Sequence, residues 1–370
     1  MRRGNVEFTS DLYKEIAKTK SAQNFVYSPF TVQTLLAMLA SADKTSNTLT
    51  VKEIRRVAHL PQDNPSTEQA FQSIITDMNK STNDDFKIFD VTKFYFASGY
   101  NMEPWLKDIA ERTFQAETET VNFTDPSNTA SGINLWVAKK TDQKITNFFK
   151  QGDIARNTDL VLINALFVMG KWECPFEKEQ NVRRTFYGQN GNSDVVMMNN
   201  LQSFEYSENA KAKYLKMELR RDGGGAQAVF ILPHETDGLA KLEKQVQDLL
   251  QTPSFYAAKV DVTLPKFTIN GDVNLNAVLK RLGLNQIFKY WVQDLTGFGY
   301  PGHPFSVITN LFQKSHIEVD EWGLTAASVA AAVNYVDDPP DTKVFVADHP
   351  FLFEVVVDDV VVYAERVVNL

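Results

Sequence analysis

The sequence predicts an α+β fold, in which helices and strands both occur but do not alternate strictly along the chain. Three observations support this class. Apolar residues recur at helical spacing early in the chain, strand-like apolar runs lie among and after the helices, and segment 351–368 is rich in Val and Phe. Because a doubly wound fold requires regular alternation of strands and helices, this order favours the α+β class.

The first strong helix signal is Ser28-Pro29. A serine hydroxyl can accept hydrogen bonds from the free N–H groups of a first helical turn, and proline suits that turn. Four apolar residues then follow at i, i+3, i+4 and i+7: Val32, Leu35, Leu36 and Leu39. Similar spacing predicts helices over 239–249 and 275–282, and Gly283 is expected to end the second one.

Strand signals lie among and after these helices. Segment 161–168 is almost wholly apolar, which is typical of a strand covered on both faces. In segment 260–264, apolar and polar residues alternate up to Pro265, so a half-exposed strand is predicted to stop there. Segment 351–368 predicts strands that are buried late in the chain.

Composition excludes several classes of function. The 370 residues carry a net charge of −8, which disfavours nucleic acid or an anionic membrane as the main partner. No apolar run approaches the length of a membrane-spanning helix. The single cysteine, Cys174, excludes an internal disulfide framework and a cysteine-rich zinc site.

No motif for catalysis or cofactor binding stands out. The five histidines are scattered without metal-ligand spacing, and the glycine run 223–225 lacks the Gly-Lys-Ser/Thr of a phosphate loop, so it predicts a flexible hairpin. Cys174 has no nearby histidine and is interpreted as a packed structural thiol. We therefore expect no enzyme activity, no metal and no cofactor.

The compartment stays open. The N-terminus lacks a signal-peptide core, so the protein is extracellular if a signal was removed and cytoplasmic otherwise. Two Asn-x-Ser/Thr triplets, at Asn79 and Asn122, matter only in the first case.

Segment 325–332 is unusual because it consists of small residues without charge, proline or glycine. Composition alone favours a short helix, which Asp337-Asp338 and the prolines after them would end. The alternative is a segment that can become a central strand, since small side chains can slide between two existing strands. Extended from Leu324 to Val336, it would span roughly 40 Å.

Several motifs occur in a defined order along the chain: NFVYSPFTV at 24–32, NLWV at 134–137, LINA at 162–165, GKWECPF at 170–176, MM at 197–198, ILP at 231–233, LPKF at 264–267, DLTG at 294–297, EVDEWG at 318–323 and ADHPFLF at 347–353. In this order they resemble the serpin family over nearly the whole chain, with an arthropod-type member as one interpretation. The resemblance implies a serpin-like fold of about three β-sheets and eight to nine helices. It also implies a single domain over 1–370 with an exposed reactive-centre loop at about 321–345.

The resemblance implies a protease inhibitor that acts as a suicide substrate. In inhibitory members a serine or cysteine protease cleaves the loop and becomes acyl-linked to it, and the loop then inserts as a new strand of the main sheet. The implied partner is this target protease, in a covalent complex with a monomeric inhibitor. A non-inhibitory serpin with a storage, carrier or chaperone role is the alternative.

Three groups of functional residues follow from the resemblance. The hinge comprises Glu321, Gly323, Leu324, Thr325, Ala326, Ala327, Ser328 and Val329. The shutter beneath the main sheet comprises Ser28, Thr31, Asn164 and Gln313. The breach at the top of that sheet contains Trp172.

By the same resemblance, the scissile bond is expected within Tyr335, Val336, Asp337 and Asp338. Counting sixteen residues on from Glu321 gives Asp337 before the bond, counting back from the proline pair gives Val336, and a shorter loop gives Tyr335. None of these is Arg or Lys, so a trypsin-like target is disfavoured. Elastase-like, chymotrypsin-like, papain-like cysteine and aspartate-preferring proteases all stay open.

The sequence departs from the family pattern at several positions. Leu324 stands where Thr or Ser is common, and we expect that burying this larger group slows insertion. Trp322 replaces a residue that is commonly polar. Gln313 replaces a common histidine but keeps both a donor and an acceptor, so a working shutter is expected. Glu365 stands where glycine is common, and the sequence does not explain it.

Some members of the family bind heparin through a basic fourth helix. The corresponding stretch, 66–83, holds one basic residue, Lys80, and acids lie beside it. Heparin is therefore not an expected cofactor.

Overall fold

The computed structural model describes residues 1–45, 47–80, 82–250, 253–289, 295, 297–299, 310–324 and 341–370. The α-helices in these ranges are α1 Arg2–Thr19, α2 Pro29–Ser41, α3 Leu49–Val57, α4 Asn64–Lys80, α5 Pro104–Phe114, α6 Pro126–Lys140, α7 Leu239–Leu242, α8 Val246–Leu249 and α9 Leu275–Arg281. No helix in the described part of the chain is both long enough and apolar enough to span a membrane.

The strands in the described ranges make up three sheets. They are β1 Phe25–Tyr27, β2 Phe86–Ala97, β3 Asn101–Met102, β4 Glu117–Val121, β5 Leu160–Lys171, β6 Val182–Gly188, β7 Gly191–Glu208, β8 Ala212–Glu218, β9 Ala226–Pro233, β10 Tyr256–Pro265, β11 Phe267–Asn274, β12 Phe298–Gly299, β13 Asn310–Val319, β14 Gly323–Leu324, β15 Lys343–Val346, β16 Phe351–Val357 and β17 Val360–Val367. A nine-stranded sheet has the order β1-β17-β16-β9-β8-β7-β10-β15, with β6 paired to β7. A six-stranded sheet has the order β11-β13-β14-β5-β2-β4, and β12 pairs with β3. The α+β class and the number of helices and sheets are confirmed.

Most predicted elements form where the local pattern placed them. The Ser28 hydroxyl accepts a hydrogen bond from the Thr31 N–H at the start of α2. Strand β10 ends at Pro265, and α9 ends just before Gly283, which has a positive φ of 91°. Glycines 223–225 form the turn between β8 and β9, as predicted.

The helix predicted over 239–249 is wrong in extent. The structure has two single-turn helices there, α7 and α8, separated by a 3₁₀ turn at Glu243–Gln245. The apolar spacing is nevertheless real, because Leu239, Leu242 and Val246 are buried in the core. In the 3₁₀ turn between the two helices, the Glu243 carboxylate accepts a hydrogen bond from the Tyr13 hydroxyl and forms an ion pair with Arg366.

The six-stranded sheet is covered on both faces. Alternate residues of β5 face opposite sides, so Leu162 and Leu166 join the main core while Ile163 and Ala165 join a second core under α6. Ile133 and Val137 of α6 belong to that second core. On the other face, β16 and β17 pack beneath the sheet, where Phe351 and Phe353 contact Phe267.

Candidate functional site at the opening of the six-stranded sheet

The central strands β5 and β13 are paired over only part of their length. They run parallel and pair from Val161↔Asn310 to Leu166↔Ser315. We call this last pair the fork. Beyond the fork, towards the C-terminal ends of β5 and β13, the two strands have no backbone pairing with each other. We call the space between them, from the fork to β14, the opening. A strand that entered the opening would become a central strand of the sheet.

The first residues of the predicted hinge lie at the top of the opening. Within β14, Gly323 pairs with Lys171 and Leu324 with Gly170, both on β5, and Leu324 also pairs with Val319 on β13. The segment runs antiparallel to both neighbours. The hinge therefore begins as a short strand between the two strands that a longer insertion would separate.

Gly323 is required by the close approach of β5. A Cβ atom at this position would lie 2.0 Å from the Gly170 carbonyl oxygen, so no side chain can be accommodated. Leu324 follows with none of its surface exposed. The expectation that Leu324 is buried only during insertion is therefore wrong, because its side chain is already buried in the uncleaved chain.

Asp320 shapes the reversal that leads from β13 into β14. Its carboxylate accepts hydrogen bonds from the N–H groups of Trp322 and Gly323, at 2.8 and 3.1 Å. Burial raises the pKa of Asp320, although these two amides act in the opposite direction. The tight turn holds the hinge against the top of β5.

Glu321 is buried and paired beside this turn. Its carboxylate accepts hydrogen bonds from Lys266 Nζ at 2.8 Å and from Asn181 Nδ2 at 2.6 Å. Burial alone would raise the pKa of Glu321, but the hydrogen bonds from Lys266, its own backbone and Asn181 lower it below the usual value. The carboxylate thus connects the base of the loop to Lys266, which lies between β10 and β11, and to Asn181, which directly precedes β6.

Trp172, the predicted breach residue, is fully buried immediately below the turn. Its indole Nε1 donates to the Asp320 carbonyl at 3.0 Å, and its backbone N–H donates to the Trp322 carbonyl at 2.8 Å. Its ring also lies 6.5 Å from the ring of Phe230 in the nine-stranded sheet. Trp172 therefore links the top of β5, the hinge turn and the sheet beneath.

Three of the four predicted shutter residues meet in one network. Gln313 Nε2 donates to the Ser28 carbonyl and to Thr31 Oγ1, both at 2.8 Å, and its Oε1 accepts from the Ser28 N–H at 2.9 Å. The amide uses its donor and its acceptor together, as the sequence led us to expect. This network attaches β13 to the start of α2.

Asn164, the fourth predicted shutter residue, is not bonded to the other three. It lies beside Gln313 in the register of β5 and β13, but its Nδ2 donates to Thr92 Oγ1 on β2 at 3.0 Å. Its Oδ1 has no hydrogen-bond partner within the part of the chain that the structure describes. Asn164 thus joins β5 to β2 instead of bridging the two strands of the opening.

Part of the prediction lies outside the described residues. This is true of the remaining hinge residues Thr325, Ala326, Ala327, Ser328 and Val329. It is also true of Tyr335, Val336, Asp337 and Asp338, which bracket the scissile bond. The chain is described again from Asp341, and β15 then pairs with β10 at the edge of the nine-stranded sheet.

Sequence reasoning missed several residues that complete this site: Thr92, Asn181, Lys266 and Tyr363, whose hydroxyl donates to the Leu166 carbonyl at the fork. Lys266 lies within the LPKF motif, so its position was visible but its partner Glu321 was not. The other three give no local signal, because each acts through a contact with a residue that is distant in the sequence.

Among the described residues, no cluster of His, Cys, Asp or Glu is arranged to hold a metal ion. Cys174 is partly buried, and burial raises the pKa of its thiol, which fits a structural role better than a nucleophilic one. The side chains of Asp320, Glu321, Trp172 and Gln313 form hydrogen bonds that hold the strands and the hinge turn in place. These contacts support a structural role for the polar groups around the opening.

Comparison with known proteins agrees with this geometry. A family model described as Serpin (serine protease inhibitor) matches residues 3–369. The chain is similar to human Serpin B3, with 30% identity over 94% of this chain and 93% of that protein. It is also similar to Antichymotrypsin-2 of Bombyx mori, with 28% identity over 95% of this chain and 94% of that protein.

Among solved structures, the chain resembles the crystal structure of Serpin48, described as a highly specific serpin of the insect Tenebrio molitor. The two superpose with a TM-score of 0.88 and 32% identity, over 100% of this chain and 98% of the other.

Proposed function

Because the chain belongs to the serpin family, whose members are generally protease inhibitors and not enzymes, we propose that it inhibits a protease as a single-use substrate. The protease nucleophile attacks the carbonyl at the scissile bond, the amine fragment leaves, and an acyl bond joins protease and inhibitor. The freed loop then inserts into the opening and carries the acyl-linked protease with it.

The position of β14 is the observation that carries this proposal. Gly323 and Leu324 already pair with β5, and Leu324 with β13, in the antiparallel direction that a longer strand would continue. Residues 325–332 are small enough to extend that strand without displacing the side chains beneath it. Each added residue would pair with backbone groups of β5 and β13, and this pairing supplies the driving force for insertion.

We propose a target outside the trypsin-like class. No basic residue occurs from Tyr335 to Asp338, and the loop carries Asp337, Asp338 and Asp341. A specificity pocket that contains a carboxylate would repel these side chains. Elastase-like, chymotrypsin-like, papain-like cysteine and aspartate-preferring proteases are the candidates.

We also propose that inhibition proceeds without heparin and by a monomer. Helix α4 is the segment that corresponds to the heparin-binding helix of some family members. It carries a single basic residue, Lys80, which lies 3.8 Å from Asp77. Inhibition rates should therefore be unchanged when heparin is added.

The test is incubation with one protease of each candidate class, followed by denaturing electrophoresis. We expect at least one covalent complex that is stable in detergent, and mass spectrometry of the released fragment should place the cut between Tyr335 and Asp338.

The control is Ala327→Arg, which places a charge in the segment that must insert. This variant should still be cut at the same bond but should release active protease. Clean cleavage of the unmodified protein without a complex, by every protease that cuts the loop, would exclude inhibition and favour the storage, carrier or chaperone role.

A further inference from the structure

Tyr363 on β17 contacts the sheet above it at the fork. Its side chain is fully buried, and its hydroxyl donates a hydrogen bond to the Leu166 carbonyl of β5. Leu166 is also half of the last pair between β5 and β13. A side chain from the nine-stranded sheet therefore reaches the place where the six-stranded sheet begins to open.

The Leu166 carbonyl points toward β13 and not toward β2. The Lys171 N–H bonds to Asp85 on the β2 side, whereas the Trp172 N–H bonds to Trp322 on the opposite side. Because successive peptide groups of a strand point to alternate sides, every second group from Trp172 back to Leu166 points toward β13. The hydroxyl of Tyr363 thus binds a carbonyl that an incoming strand would need for pairing.

The two strands that border the opening are attached to the layer beneath by different groups. Gln313 attaches β13 to α2 through three hydrogen bonds with Ser28 and Thr31. At the fork, the Tyr363 hydroxyl attaches β5 to β17. The two borders of the opening are therefore held to the layer beneath by separate side chains.

We propose that Tyr363 is a positioning residue that restrains β5 at the fork and thereby limits the rate at which the loop inserts. Neighbouring strands lie about 4.8 Å apart, so a strand that enters must roughly double the separation of β5 and β13. That movement draws the Leu166 carbonyl away from the Tyr363 hydroxyl. The inference rests on the proposed function, because it concerns the insertion step.

The chain contains a matched control for this hydroxyl. Tyr27 is also fully buried, and its hydroxyl also donates to a backbone carbonyl, that of Thr9 at 2.7 Å. Tyr27 lies on β1 and pairs with Ala364 of β17, but its hydroxyl bonds to α1 and not to the six-stranded sheet. The Tyr363→Phe and Tyr27→Phe variants therefore lose the same group and leave a backbone carbonyl without the same donor, but only the first change removes a hydrogen bond to β5.

The first measurement is hydrogen–deuterium exchange of the uncleaved protein. Tyr363→Phe should increase exchange of amides 314–317, next to the fork, by roughly fivefold, which corresponds to the loss of one ordinary hydrogen bond. Tyr27→Phe should leave these amides unchanged. Equal exchange at 314–317 in the two variants would show that the hydroxyl does not restrain β5, and this result does not depend on inhibition.

The second measurement is the rate of insertion after the loop is nicked, followed by the fluorescence of Trp172 and Trp322 beside the hinge. Tyr363→Phe should insert roughly fivefold faster than the unmodified protein, and Tyr27→Phe at the unmodified rate. Faster exchange without faster insertion would overturn the proposed role in insertion. If the unmodified protein does not insert at all, the proposed function fails, while the exchange experiment still decides whether Tyr363 holds the fork.

Discussion

Two glutamates on adjacent strands of the nine-stranded sheet are buried without the partners that such groups normally have. Glu354 on β16 is 4% exposed and Glu365 on β17 is 1% exposed. Among the described residues, Oε1 of Glu354 and both carboxyl oxygens of Glu365 have no hydrogen-bond partner. Burial raises the pKa of both groups, to about 8 for Glu354. Nothing in the described residues explains why Glu365 stands where glycine is common.

The raised pKa of Glu354 predicts that stability falls as pH increases. In the unfolded chain this carboxyl ionises near pH 4.5, whereas in the folded chain it stays protonated up to about pH 8. The folded form therefore binds one more proton between these values, and its stability decreases through that window.

Glu354→Gln replaces the ionisable carboxyl group with an amide that does not titrate. The variant should therefore match the unmodified protein at pH 4.5 and become progressively more stable than it up to pH 8, by on the order of 4 kcal/mol. Urea midpoints measured across this pH range test the prediction. The same substitution at Glu111, whose side chain is 54% exposed, is the control. A stability difference independent of pH would contradict the assignment.

At the scale of single elements, α6 is attached to the six-stranded sheet through a buried lysine. Lys93 on β2 has a side chain that is 7% exposed, and its Nζ lies 2.8 Å from Glu119 and 3.4 Å from Glu117, both on β4. The same nitrogen lies 4.5 Å from the centre of the Trp136 ring on α6. One ammonium group therefore connects two strands and the helix above them.

Lys93→Met keeps the length of the side chain but removes its charge, and should lower the free energy of unfolding by about 1–3 kcal/mol. Amides of α6 should exchange faster, because Trp136 loses the nearer of two ammonium groups at its ring, Lys93 at 4.5 Å, while Lys140 lies at 5.8 Å. Lys140→Met is the matched control: Lys140 pairs with the same Glu117 but is 45% exposed, so its removal should have a smaller effect. Equal losses in the two variants would show that burial of Lys93 adds nothing.

The elements also show where local pattern fails. The apolar spacing over 239–249 predicted one helix, but Glu243 in its middle reaches Tyr13 and Arg366, and the segment divides around it. In α2, by contrast, the capping hydroxyl and the proline act within one turn, so the prediction from Ser28-Pro29 is confirmed. In these two segments, the local pattern predicts the helix correctly where the free N–H groups at its end bond to a side chain of the same turn, and it fails where a side chain bonds to distant residues.

At the scale of the whole molecule, the opening between β5 and β13 means that the six-stranded sheet lacks pairing along part of its centre, between the fork and β14. If the loop inserts there, the nicked protein gains a full set of backbone hydrogen bonds that the uncleaved protein does not have. We therefore expect the melting temperature to rise by tens of degrees after the loop is nicked.

Differential scanning calorimetry before and after nicking tests this expectation, with Ala327→Arg as the variant that is cut but does not insert. An unchanged melting temperature of the nicked unmodified protein would contradict insertion and support a non-inhibitory role.

By itself, the sequence determined the α+β class, the position of most strands and helices, the absence of basic residues at the predicted cleavage site and the resemblance to a family. These features depend on spacing, side-chain size and charge within short segments. It also placed Ser28, Thr31 and Gln313 together, but only through that resemblance.

Only the tertiary structure decided which polar groups meet around the opening. Asn164 was predicted to belong to the shutter with Gln313, and it lies beside Gln313 in the register, but its side chain bonds to Thr92 at the same level of the β2–β5 pairing. Leu324 was expected to be buried late, but the turn at Asp320 has already placed it between two strands. The Tyr363 hydroxyl meets the carbonyl of a residue 197 positions away. Such contacts depend on how distant strands are registered and stacked, and no local pattern contains that information.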